Sequence, residues 1–71
     1  MDGETELEMV RRHVREGEGH VKRQKKVVTE LQERGAPTDI AISLLGAFRD
    51  VQRQHIAHLA RLEGEGFANG A

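Results

Sequence analysis

The 71-residue sequence has no cysteine, no tryptophan and no tyrosine, and it has a single proline, Pro37. Each absence removes a class of protein. Without cysteine there is no disulfide staple and no thiolate metal site. With two phenylalanines as the only aromatic residues of the Phe/Trp/Tyr type, any core must be aliphatic. No apolar run approaches the roughly 20 residues that cross a bilayer. The opening Met1-Asp2-Gly3-Glu4 is acidic with no apolar segment behind it, unlike a secretory signal, so a cytoplasmic protein is expected. There is no strand-like alternation, no phosphate-binding glycine loop and no serine besides Ser43. A chain this short also offers little room for a deep pocket. The expectation is a protein without catalysis and without a resident cofactor.

What is present is charge and periodicity. Charged residues make up 32% of the chain and the net charge is −1, a composition suited to long solvent-exposed helices. Leu7, Val14, Val21 and Val28 recur every seventh residue, and Val10, Gly17, Gln24 and Leu31 interleave with them. This spacing draws one apolar stripe along a helix, the seam pattern of bundles and coiled coils. A second stripe runs through Ala41, Leu45, Phe48, Gln52, His55, Leu59 and Leu62, widened by Leu44, Val51 and His58. Between them stands Gly35-Ala36-Pro37-Thr38-Asp39. Gly35 suits a left-handed helix end, Pro37 forces Ala36 out of helical geometry, and Thr38 or Asp39 can cap the next helix.

The expected fold is all-α: a two-helix antiparallel hairpin with helices over about 4–34 and 39–63 and a turn at 35–39. Residues 64–71 hold three glycines and are expected to form a disordered tail. Two shorter helices broken at Gly17 and Gly19 are the alternative for the first segment, since each interior glycine costs roughly 0.8–1 kcal/mol. The heptad phase continues across those glycines, which favours one helix with Gly17 admitting a bulky neighbour. Reversal at Pro37 pairs residues whose numbers sum to about 76. Val28 then meets Phe48, Gln24 meets Gln52, Val21 meets His55 and Gly17 meets Leu59. A chain of this size buries only about 60% of its unfolded surface. The hairpin is therefore expected to dimerise into a four-helix bundle, or to form a tetramer, covering Val27, Leu44, Leu45 and Ile56. The expected interface residues are Val14, Val21, Gln24, Val28, Leu45, Phe48, Gln52 and Leu59.

Two clusters carry chemistry. His20 and His55, supported by Glu16 and His58, form a candidate transition-metal or small-ligand site, because helical His-x-x-His and Glu-x-x-x-His pairs share a face. The competing reading is four ordinary histidines bordering a core. Were His20 and His55 in contact, mild acid would place like charges together and loosen the assembly. The second cluster is basic: residues 11–26 carry seven Lys and Arg against Glu16 and Glu18. Arg15, Lys22 and Lys26 make a candidate anion-binding face on the outside of helix 1. It lacks the interleaved aromatics that stack bases, so nucleic-acid binding ranks third.

The succession His13-Val14, Val21, Gln24, Val27-Val28, Leu31, Gly35, Thr38, Ala41, Leu44-Leu45, Phe48, His55, Leu59 resembles short bacterial helical-hairpin proteins of unassigned function, over about residues 8–62. The resemblance implies a helical hairpin and no particular activity. The leading functional expectation is a structural or regulatory interaction module that binds itself and another protein, without a membrane.

Overall fold

The computed structural model describes residues 3–70, with side chains over 3–64; Met1, Asp2 and Ala71 lie outside the described residues. Two helices, α1 (Glu6–Glu33) and α2 (Asp39–Gly70), form an antiparallel hairpin, and no strand occurs among the described residues.

Local sequence chemistry sets each boundary of α1. Thr5-Glu6-Leu7-Glu8 is a capping box: the Glu8 amide donates to Thr5 Oγ1 and the Thr5 amide donates to Glu8 Oε1, each at 3.1 Å. Two otherwise orphaned amides at the helix start are thereby satisfied. At the other end Gly35 adopts φ +67°, a left-handed conformation open to glycine. The Gly35 amide then donates to the Gln32 carbonyl at 3.1 Å and the Ala36 amide to the Leu31 carbonyl at 2.9 Å. That pair of bonds is the Schellman termination. Pro37 follows, residues 36–38 carry no helix, and the Thr38 carbonyl accepts the first bond of α2, from the Ile42 amide at 2.8 Å.

Between those ends α1 is continuous through Gly17 and Gly19. Gly17 serves packing rather than bending. A Cβ at that position would collide with the Gln52 side-chain amide, standing 2.7 Å from its Cδ. α2 runs as helix to Gly70, seven residues past the expected end at Glu63. Glycine keeps its amide donor, so three glycines weaken a helix without stopping it as proline would.

The seam lies where the periodicity puts it. Val10, Val28 and Leu45 are buried together with Gln24 and Gln52. Leu7, Val14, Val21, Leu31, Ala41, Phe48, His55, Leu59 and Leu62 are half-buried beside them. Leu45 was expected to be wet in a lone hairpin and is instead buried.

The register differs from the expected one. His13 faces His55, Gly17 faces Gln52 and His20 faces Phe48, pairs whose numbers sum to 68 or 69 rather than 76. The two glutamines therefore do not meet. The cause lies in the turn. The helix ends in the left-handed turn at Gly35, ahead of Pro37, and residues 36–38 carry no helix. Non-helical chain advances about 3.3 Å per residue against 1.5 Å in helix, so α2 begins further down α1. A slip of one heptad returns the same stripe to the same face, which is why periodicity alone did not distinguish the two registers.

The molecule measures 55 × 28 × 14 Å with a radius of gyration of 16.4 Å, against about 11 Å for a compact globule of this length. Its shortest dimension is close to the roughly 10–12 Å diameter of one helix. The hairpin is a single layer, and both of its broad faces are surface.

Candidate functional faces

Each of the two buried glutamines, Gln24 and Gln52, spans the seam to a main-chain carbonyl of the opposite helix. Gln24 Nε2 donates to the Ala41 carbonyl and Gln52 Nε2 to the Val14 carbonyl, both at 2.9 Å. The two bonds run in opposite directions and clamp the helices at two levels. Gln52 Oε1 is buried and has no partner. Such an orphaned acceptor costs about 1–3 kcal/mol, so the Gln52 layer is a point of stored imperfection in the seam.

Heptad spacing distributes the remaining residues onto two faces. The first face carries His13, His20 and Val27 from α1 and Leu44, Val51 and His58 from α2, each row seven residues apart. A groove of about 290 Å³ between these rows is lined by His13, Glu16, His20, Phe48, Val51 and His55, with Gly17 and Gln52 at its floor. The His13 and His55 rings stand 5.0 Å apart and the His20 ring stacks on Phe48 at 5.8 Å. Arg23 donates to His20 Nδ1 at 2.9 Å, which leaves that nitrogen as an acceptor. His58 Nε2 donates to Glu6 Oε1 at 3.2 Å. Glu16 is held by Arg12 at 2.8 Å.

The candidate metal set is thus dispersed. Glu16, His20 and His55 border one groove, but each has a different neighbour, and His58 is engaged with Glu6 at the far end of the hairpin. Among the described residues no three His, Cys, Asp or Glu side chains stand together in metal-ligating range. The histidine that meets His55 is His13, in keeping with the slipped register.

The opposite face is cationic. Its groove, about 430 Å³, has Val21 and Ile56 as apolar floor and Lys22, Lys25, Arg49 and Arg53 around it, with Glu18 as the one lining acid. Arg53 is paired with Asp50 on its own helix. Of the candidate anion-binding residues, Lys22 borders this groove, while Arg15 and Lys26 are exposed on the back of α1.

Electrostatic shifts concentrate at the N-terminal end of α1. Arg12 donates to Glu4 at 2.9 Å and to Glu16 at 2.8 Å, and this pairing holds the Glu4 carboxyl below its ordinary value of 4.5. The Glu8 carboxyl is also held below 4.5, chiefly by the Thr5 amide it accepts from and then by the Thr5 side chain. Both acids are solvent-exposed, so these interactions secure the helix start and not the core.

The proposed interface residues fall mostly inside the chain's own seam. Gln24, Val28, Leu45 and Gln52 are buried between α1 and α2, and Val14, Val21, Phe48 and Leu59 are half-covered there. Among the described residues, the large apolar side chains left exposed are Val27, Ile40, Ile42, Leu44, Val51 and Ile56. The seam periodicity identified the hairpin contact. The exposed partners Val27, Leu44 and Val51 follow from the adjoining heptad rows.

No described helix is long and apolar enough to cross a membrane. Comparison with family models, curated proteins and solved structures found no match for this chain.

Proposed function

We propose that the chain is a non-catalytic, cytoplasmic interaction module whose hairpins pair through the histidine face into a four-helix bundle. The observation that carries this reading is the 14 Å thickness of the hairpin together with a core of three buried apolar side chains among the described residues, Val10, Val28 and Leu45. Stable domains are built from two packed layers, and a second copy supplies the missing one. The histidine face suits a copy of itself. Val27, Leu44 and Val51 are 40%, 44% and 48% exposed, and the groove beside Val51 is lined by Glu16 and three imidazoles with no lysine or arginine in the lining. The nearest cations are Arg23, bonded to His20, and Arg12, neutralised by Glu16 and Glu4. The opposite groove would set four cations against the same four.

The test is a Leu44→Glu/Val51→Glu variant, read by light scattering and circular dichroism. Loss of the dimer mass together with a fall in helicity supports the histidine-face bundle, and a dimer mass retained in the variant overturns it. A wild-type mass equal to the 7.9 kDa chain at all concentrations overturns it. The metal-binding alternative is served by no assembled ligand set among the described residues.

A further inference from the structure

We propose that the cationic groove between α1 and α2 docks an acidic amphipathic helix from a partner protein. The inference rests on the chain being an interaction module, and it assigns the second face a separate occupant.

The groove combines two features that rarely serve one small ligand. Its floor is apolar, formed by Val21 and Ile56, and its rim is positive, with Lys22 and Lys25 on α1 facing Arg49 and Arg53 on α2. Away from the groove, Arg11 pairs with Glu63 and Arg12 with Glu4 and Glu16. Lys22, Lys25 and Arg49 enter none of the ion pairs formed among the described residues. Glu18 is the only acid in the lining. Three unpaired cations around a strip of exposed apolar surface call for a ligand with apolar body and negative flanks.

The shape selects the ligand further. The groove follows the trough between two antiparallel helices, lined from Glu18 to Lys25 and from Arg49 to Ile56, about two helical turns on each side. Ile42 extends it: seven residues before Arg49, it lies on the same row and is 48% exposed. A third helix lies naturally in such a trough, placing an i, i+3/i+4, i+7 ridge on the floor. Acids flanking that ridge reach Lys22 and Lys25 on one side and Arg49 and Arg53 on the other. A second copy is a poor occupant because it would oppose like charges. Nucleic acid is a poor occupant because no aromatic ring lines the groove for base stacking, while Val21 and Ile56 offer nothing to phosphate.

The experiment uses the full chain and two fluorescent helical peptides of about 20 residues, each with a leucine ridge. One carries glutamate on both flanks and the other lysine. Anisotropy is measured with the wild-type chain and with Lys25→Glu/Arg49→Glu, whose helicity is checked by circular dichroism. The expected result is saturable binding of the glutamate peptide that weakens with salt and falls about tenfold or more in the variant. The lysine peptide should bind only the variant. Equal binding of the two peptides, or an unchanged affinity in the variant, overturns the proposal. A single-stranded oligonucleotide that binds more tightly than the glutamate peptide overturns it in favour of nucleic acid. Light scattering on the same samples separates the two readings. A retained dimer without peptide binding removes the groove proposal alone, and a monomer that binds the peptide removes only self-association.

Discussion

Replacing Gly17 by alanine should have opposite effects depending on what occupies position 52. Alanine is favoured over glycine in a helix interior by roughly 0.8–1 kcal/mol, and that gain is local to α1. In the native chain it is opposed by a collision, since the added Cβ would stand 2.7 Å from Gln52 Cδ and closer still to Oε1. The Gln52 side chain must then move, and its 2.9 Å bond to the Val14 carbonyl is lost. A broken hydrogen bond contributes about 1 kcal/mol, and overpacking a seam adds about 1–3 kcal/mol. Release of the orphaned Oε1 to water returns part of this. The balance is a destabilisation of about 1 kcal/mol for Gly17→Ala in the native background. In a Gln52→Ala background nothing collides, and the same substitution should stabilise by about 1 kcal/mol. The coupling of about 2 kcal/mol lies well above the few tenths expected of independent sites. Urea unfolding by circular dichroism, at one fixed protomer concentration, completes the cycle. The same sign and size of effect in both backgrounds would refute the contact and with it the observed register.

Three further outcomes follow from particular residues. Thr5→Ala removes the capping box and should cost about 0.5–2 kcal/mol, with faster amide exchange confined to the first turn of α1. Glu4 and Glu8 titrate below 4.5 in the folded chain, so their stabilisation is fully present above that value and is lost as pH falls through the lower folded values. An acid melt should therefore show an N-terminal loosening below about pH 4.5, absent for Glu8 in a Thr5→Val/Glu8→Gln variant. Leu45→Ala opens the core at one of its three apolar members and should cost about 2–3 kcal/mol in urea unfolding.

Most of the fold was legible because it depends on local signals. Leu7 to Leu31 and Ala41 to Leu62 announce their stripes by spacing alone, and Gly35-Ala36-Pro37 announces the turn. The capping box Thr5-Glu6-Leu7-Glu8 was equally legible by its T-x-x-E pattern, and it places the start of α1 at Glu6 rather than near Glu4. The register was not legible, because seven-residue repeats match themselves after a slip. It was decided by where the turn reverses the chain, a matter of Gly35 dihedrals. Every misplaced pair follows from that one cause: Val28 with Phe48, Gln24 with Gln52, Val21 with His55, Gly17 with Leu59, and with them His20 beside His55. The glutamines bond main-chain carbonyls that no side-chain pattern reveals. The two faces were half legible. The basic residues were visible, but assigning Lys25 and Arg49 to one groove, and all four histidines to the other face, required knowing how α2 sits on α1.

The most direct test of the account is sedimentation equilibrium of the unmodified chain at neutral pH across a range of concentrations. The single-layer hairpin with its three-residue apolar core predicts a reversible species of twice the 7.9 kDa chain mass, with helicity that falls on dilution as the bundle separates. A monomer that stays fully helical on dilution would contradict the claim that this hairpin requires a second layer.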